Sequence, residues 1–259
     1  MNFELCWNIT ARCNENCKYC HRFLSPKDLT REENFKILNN IMTSGIKNVP
    51  FTGGEALLMP YLSELILFCS ENDIKSKLIT NGILFTDKFF NQIKNSLNYL
   101  NLSLDSISKA TNLLLGRGGE HFENVKKCLS LVAGSQINLS INSVATKLNK
   151  DDLFGLAKFL SNKNISEWRI FKFMPLREKA KVNEKEFEIS QEEYEKLIND
   201  LLSISNLNIV TRQVEDFEKQ YLLILANGDI VVTKNGQDIV LGNALKDDLK
   251  FIINKTFAK

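Results

Sequence analysis

The sequence predicts an α/β protein built as a partial (β/α)6 barrel of parallel strands, with a C-terminal hairpin and helix added to it. Three observations carry this expectation. Six strand-like runs are each separated by a helical pattern, and parallel strands need such crossovers, which are right-handed. Six strands are too few for a closed eight-stranded barrel of about 250 residues. After Phe173 the alternation stops and the pattern changes.

Apolar periodicity, near two residues for strands and near 3.6 for helices, sets the elements in order. The first strand covers residues 4–10 and runs into a hydrophilic loop. A helix at 31–44 then crosses to a strand at 47–52, a helix at 61–72 to a strand at 75–80, and a helix at 88–95 to a strand at 97–105. The fifth and sixth strands, 136–144 and 167–173, follow helices at 122–133 and 150–162. Residues 175–188 are charged and aperiodic, expected to face the substrate as a lid or simply to be solvated. Ser190 caps an amphipathic helix through about Ser203. "YLLILANGDIVV" reads as a hairpin turning at Asn227-Gly228, and "GNALKDDLKFIINK" as a last short helix. The chain thus divides into a core, 1–175, and an extension, 176–259, that covers the barrel and contributes to the substrate site. No tandem repeat or low-complexity linker interrupts it.

The chain has 259 residues, 44% hydrophobic and 25% charged, enough for one substantial core. Thirty-three Lys and Arg against 31 Asp and Glu leave a net charge of +2, without the basic footprint of nucleic-acid binders. The N-terminus lacks the pattern of a signal peptide, and no apolar run approaches the roughly 20 residues that cross a membrane. A cytoplasmic location is expected. In a reducing compartment, closely spaced cysteines bind metal or do redox chemistry rather than form disulfides. Cys6, Cys69 and Cys128 are scattered in apolar surroundings and read as small buried hydrophobes.

The chemistry concentrates in "RCNENCKYCH", where Cys13, Cys17 and Cys20 can converge on a metal centre. A structural zinc site closes with four protein ligands, whereas three thiolates leave a position open for a small molecule. His21 adjoins Cys20, where coordination by both side chains is awkward, so it reads as a polar loop residue or a substrate contact. A second motif, "FTGGEAL", places Gly53, Gly54 and Glu55 directly after the second strand. Glycines allow close backbone approach, and a carboxylate can accept a hydrogen bond from an ammonium group. Ligand sites of parallel α/β folds lie at the carboxyl ends of strands. Further residues there are Asn81, Ser103 with Asp105, Arg117 and Asn142. A hydroxyl or amide suits a ribose, and a guanidinium suits a carboxylate.

"CNENCKYC" and "GGE", in this order and spacing, resemble the radical S-adenosylmethionine (radical SAM) enzymes, with Tyr19 at the aromatic position of the CxxxCxφC motif. The resemblance implies that Cys13, Cys17 and Cys20 hold a [4Fe-4S] cluster whose fourth iron is chelated by SAM. It implies that Tyr19, Gly53, Gly54, Glu55, Asn81, Ser103, Arg117 and Asn142 bind SAM, Glu55 through the methionine amino group. It further implies reductive cleavage of SAM to methionine and a 5′-deoxyadenosyl radical that abstracts hydrogen from a substrate, with a flavodoxin- or ferredoxin-type electron donor and sensitivity to oxygen. No cysteine follows Cys128, so a one-cluster enzyme is expected.

"LSLDSISKATNLLLGRGGEHFENV", "INSVATKLNKDD", "EWRIFKF" and "YLLIL" resemble the viperin-like enzymes, which dehydrate nucleoside triphosphates to didehydro products in antiviral defence. On that resemblance Tyr221 acts near the substrate sugar and Arg169 binds substrate. The chain departs from it at Asn48 and Ser140, uncharged where basic residues hold a triphosphate, with Lys47 and Lys172 only nearby. Three functions therefore stand at this point: a viperin-like enzyme on a nucleotide; a one-cluster enzyme on a peptide, sugar or biosynthetic intermediate; and a non-enzymatic metal-binding protein.

Overall fold

The structure, a computed structural model, describes residues 3–24 and 27–257. Six strands, β1 (Glu4–Thr10), β2 (Asn48–Gly53), β3 (Lys75–Thr80), β4 (Tyr99–Ser103), β5 (Asn138–Ala145) and β6 (Glu167–Lys172), alternate with helices as the periodicity predicts. The crossovers are α1 (Arg31–Thr43), α2 (Leu62–Glu71), α3 (Asp87–Ile93), the pair α4 (Lys109–Leu114) and α5 (His121–Val132), and α6 (Asp152–Leu160). Helix α4 is absent from the predicted pattern. It is only six residues long, and Ser108 starts it by accepting the Thr111 N–H.

The later part of the chain is more ordered than the sequence pattern suggests. Within the aperiodic stretch lie two short helices, α7 (Glu178–Val182) and α8 (Glu184–Phe187), followed by α9 (Gln191–Ile204). Ser190 and Glu193 form a capping box at α9, each taking the other's backbone N–H, a feature worth about 1 kcal/mol. Strand β7 (Ile209–Arg212), helix α10 (Val214–Gln220), the strands β8 (Tyr221–Ile224), β9 (Asp229–Lys234) and β10 (Gln237–Asn243), and helix α11 (Leu249–Phe257) complete the order. The β8–β9 hairpin turns where Asn227-Gly228 predicts, with Gly228 at φ 86°.

All ten strands form one sheet in the order β10-β9-β8-β1-β2-β3-β4-β5-β6-β7. Every neighbouring pair from β8 to β7 is parallel, so the parallel array has eight strands rather than the predicted six. The two additions flank opposite edges, β7 beside β6 and β8 beside β1. The segment after Phe173 thus extends both edges of the barrel wall. Helix α10 runs from β7 to β8 across the opening that remains. There Phe217 stacks on Tyr221 with ring centroids 4.6 Å apart.

Strand alternation sorts side chains between two environments. Outward positions Leu5, Trp7 and Ile9 of β1, Phe51 of β2 and Trp168 and Ile170 of β6 are buried beneath the helices. The intervening positions face a cavity inside the curved sheet and are largely polar. A wall that is apolar on one face and polar on the other fixes strand register, because a one-residue slip would exchange the two.

Candidate active site

The cavity, of ≈ 300 Å³, is bounded by inward-facing positions of β1 to β6 and β8 and is roofed by the cysteine loop. Cys13, Cys17 and Cys20 are free and half-buried, and all three line it together with Gly53, Gly54 and Glu55. The loop is pinned by backbone bonds: Lys18 N–H to the Leu115 carbonyl at 2.9 Å, Gly54 N–H to Thr10 at 2.7 Å and Glu55 N–H to Arg12 at 2.8 Å.

The glycines serve this packing. A Cβ at Gly54 would lie 2.0 Å from the Arg12 carbonyl oxygen, and one at Gly53 2.2 Å from that of Thr10. On the far side Gly116, at φ 81°, passes so close that a Cβ would be 2.6 Å from the Asn16 carbonyl oxygen. What approaches these glycines closely is therefore the cysteine loop's own backbone.

Glu55 is 1% exposed, and its carboxylate accepts Leu57 N–H (3.0 Å) and Thr80 Oγ1 (2.7 Å) on Oε1 and Asn81 N–H (2.8 Å) on Oε2. Burial raises its pKa against the pull of these donors. A carboxylate offers about four acceptor positions, so Oε2 retains room for a donor from the cavity. Asn81 ties itself to the cysteine loop, donating to Asn14 Oδ1 at 2.7 Å.

Arg117 and Tyr19 converge on Asp105. Tyr19 donates its hydroxyl to Asp105 Oδ2 at 2.5 Å, and Arg117 donates Nε to the same oxygen at 2.5 Å and Nη1 to Glu15 Oε2 at 2.5 Å. Burial, seconded by the Asp105 charge and opposed by that of Arg117, raises the Tyr19 hydroxyl well above its ordinary pKa. The guanidinium that the sequence offers to a carboxylate ligand thus already holds two protein carboxylates. Glu15 also accepts the Gly118 N–H at 3.2 Å and lies 3.2 Å from His121 Nδ1, while His121 Nε2 meets the Ser103 carbonyl at 2.8 Å. Burial works to raise the Glu15 pKa, but His121, Arg117 and Gly118 outweigh it and bring it to about 2.

Ser103 and Asn142 line the cavity wall, and Asn142 Oδ1 accepts from Asn101 at 3.3 Å. Arg169 and Tyr221 line it as well. Arg169 donates Nε to Glu167. Burial pushes the Tyr221 hydroxyl up to about 12, and Arg212 lies beside it. His21 also lines the cavity; burial lowers its pKa to about 4, and its ring meets Phe217 edge-on.

The sequence reading missed Glu15 as the shared partner of Arg117 and His121, because their meeting depends on contacts about 100 residues apart. It also missed Lys77, which lines the cavity from β3. Its signal was present in the alternation of "KSKLIT", where Lys77 takes the face opposite buried Ser76, Leu78 and Thr80.

Among the described residues, no three His, Cys, Asp or Glu side chains converge as a single metal ion requires. A four-iron cluster sets different terms, since each thiolate binds a separate iron. Three free thiols on one cavity wall, beside a carboxylate with an open acceptor position, fit a cluster with one iron left for a small molecule. Burial raises the Cys13 thiol pKa and pushes that of Cys17 up to about 12, so ligation must supply the energy of deprotonation.

A family model described as the Radical SAM superfamily matches residues 7–160. An S-adenosylmethionine-dependent nucleotide dehydratase of Flammeovirga pacifica is 27% identical over 248 residues, covering 91% of this chain and 83% of that protein. A GTP 3′,8-cyclase of Clostridium botulinum is 30% identical over 211 residues, covering 76% of this chain and 64% of the cyclase. Among solved structures, SuiB of Streptococcus suis bound to its precursor peptide superimposes with a TM-score of 0.77 at 19% identity, over 97% of this chain and 64% of SuiB. Both curated relatives match most of this chain, while it spans just under two thirds of the cyclase and of SuiB. The chain belongs to the radical SAM superfamily, and it is an enzyme whose cofactors are a [4Fe-4S] cluster and S-adenosylmethionine.

Proposed function

We propose that this enzyme abstracts hydrogen from a nucleotide. The observation that carries the reading is that two relatives with different reactions, a nucleotide dehydratase and a GTP cyclase, match at least 76% of the chain and are both named for nucleotide chemistry.

The residues divide the work as follows. Cys13, Cys17 and Cys20 hold the cluster, and Glu55 accepts the amino group of SAM through its open Oε2 position. Ser103 and Asn142 face the ribose, and Tyr19, Gly53, Gly54 and Asn81 shape the pocket around the cofactor. Together the bound cluster and SAM supply a 5′-deoxyadenosyl radical when an electron arrives from a low-potential donor of the flavodoxin or ferredoxin type. Asp105 and Glu15 hold Arg117 at the edge of this site. Tyr221, whose hydroxyl burial pushes up to about 12 and so further from ionising, presents that hydroxyl to the substrate. The wall of outward-packed apolar side chains holds in place the strands that line the cavity. No helix among the described residues is long and apolar enough to cross a membrane. Six free cysteines suit the reducing cytoplasm.

Anaerobic incubation of the reconstituted, reduced enzyme with SAM and each nucleotide, with 5′-deoxyadenosine measured by mass spectrometry, tests the reading. At least one nucleotide is expected to stimulate its formation well above the uncoupled background. No stimulation by any nucleotide sinks the proposal.

A further inference from the structure

We infer that Glu15 tunes the cluster: its buried carboxylate, held against the Cys17 sulfur, lowers the reduction potential of the bound [4Fe-4S] centre. Glu15 acts through Cys17 and not on the substrate. The inference therefore holds whichever substrate the enzyme takes, and it rests only on the three cysteines as cluster ligands.

Glu15 lies inside the cysteine loop and touches two of its thiols. Its backbone N–H donates to Cys13 Sγ at 3.4 Å, and its side chain brings Oε2 to 3.7 Å from Cys17 Sγ. The first contact is open to any residue with a backbone N–H, whereas the second depends on the carboxylate. A protonated Cys17 donates to Oε2. Once the thiol ligates iron its proton is gone, and a carboxylate oxygen faces a sulfur that carries part of the charge of the cluster. Free to move, the carboxylate would turn away from that sulfur. Here Arg117 Nη1 donates to the same Oε2 at 2.5 Å, Gly118 N–H donates to Oε1 at 3.2 Å, and His121 Nδ1 lies 3.2 Å from Oε1. These partners come from the connection between α4 and α5 and from the start of α5, so the side chain is fixed from outside its own loop.

Arg117 does not cancel the charge it fixes. Its guanidinium is shared, with Nε on Asp105 Oδ2 at 2.5 Å, so two carboxylates divide one cation. Of the two, it is Glu15 that meets the sulfur. All three side chains are almost wholly buried, where charges act on each other more strongly than in water. Cluster potentials follow local charge, hydrogen bonds to the sulfurs and exposure. Reduction adds one electron from the low-potential donor, and a fixed negative charge beside a ligand sulfur opposes that addition. The reduced cluster is correspondingly a stronger reductant toward SAM.

Reductive titration of the anaerobically reconstituted enzyme with titanium(III) citrate, without SAM and followed by the electron paramagnetic resonance of the reduced cluster, tests this. Glu15→Gln keeps the shape and the backbone N–H and removes the charge. It should shift the one-electron equilibrium at least about tenfold toward the reduced cluster, a midpoint higher by about 59 mV or more. The midpoint belongs to the clusters that form, so lower stability or iron loading in the variant does not move it. A second background provides an independent measurement. Arg117→Met should lower the midpoint, because the carboxylate is then without its guanidinium, and adding Glu15→Gln to it should raise the midpoint by more than in the wild type. A brace that only holds the loop would change the iron content and leave the midpoint of the loaded clusters in place. The inference is overturned if Glu15→Gln shifts the equilibrium by less than about threefold in both backgrounds, or lowers the midpoint in either. It is overturned as well if Glu15→Gln takes up no iron in either background, which would make Glu15 a requirement for assembly and not a tuning charge.

Discussion

Arg117 Nη1 and Glu15 Oε2 lie 2.5 Å apart with side chains only 6% and 2% exposed, joining the connection between α4 and α5 to the cysteine loop. Removing one partner of a buried pair leaves the other charge without compensation, at a cost of about 3 kcal/mol or more. Glu15→Gln keeps the shape and removes the charge, leaving Asp105 as the only carboxylate on Arg117. Chemical denaturation should therefore show a loss of about 3 kcal/mol relative to the wild type. A loss below about 1 kcal/mol would mean that Asp105 alone suffices.

Asp28 secures the start of the same loop, accepting Thr10 Oγ1 at 2.8 Å, Ala11 N–H at 3.2 Å and Arg12 Nε at 2.7 Å. Burial works against the charged form, but these donors prevail and lower the pKa below its ordinary 3.8. A carboxylate with a depressed pKa stabilises the fold above its unfolded value and loses that contribution as the pH falls through the folded one. The wild type should exceed Asp28→Asn in thermal midpoint at about pH 7, and the difference should narrow below about pH 4. A gap that is constant across that range would remove the charge from the explanation.

Gly54→Ala tests the contact between β2 and the loop. The added methyl would sit 2.0 Å from a backbone carbonyl oxygen, which cannot move aside as a flexible side chain does. Overpacking of this kind costs about 1–3 kcal/mol where the surroundings can shift, and here the shift must displace Arg12, next to Cys13. Iron content per chain after anaerobic reconstitution should fall several-fold, and the thermal midpoint should drop with it. Full iron loading would show that the loop tolerates displacement.

These contacts mark where sequence reasoning ends. Strands β1, β2 and β6 were legible because buried Trp7, Phe51 and Trp168 alternate with less buried neighbours at period two. The four residues of β7 are too few to register a period, and α10 packs chiefly through Phe217. The cysteine spacing and the GGE motif were legible as chemistry. The clash that requires Gly54 and the pairing of Arg117 with Glu15 were not, because each is a property of residues brought together from distant parts of the chain.

The cysteines separate ligand from packing roles. Cys17→Ala should abolish iron binding and SAM cleavage together, since it removes a thiolate from the set of three. Cys69, fully buried in α2 with burial alone raising its pKa to about 12, is a packing residue. Cys69→Ala should lower stability by about 1–2 kcal/mol and leave the iron content unchanged. Iron lost in both variants would point to a folding effect, and iron retained in Cys17→Ala would sink the cluster assignment.

Tyr221 offers the most direct view of the substrate end. Its ring is fixed by stacking on Phe217 at 4.6 Å and by its strand register opposite Glu4, neither of which involves the hydroxyl. Tyr221→Phe gives up the hydrogen bond between the hydroxyl and Arg212, worth about 1 kcal/mol, but should keep the fold and bind SAM with the same affinity. A hydroxyl that moves a proton during substrate conversion contributes about 10²-fold or more. Product formation per turnover of SAM should fall by that order, with 5′-deoxyadenosine still released as abstraction becomes uncoupled from product. If product and 5′-deoxyadenosine fall in step, the hydroxyl positions the substrate before abstraction; if neither changes, Tyr221 serves only to pack α10 across the open edge of the barrel.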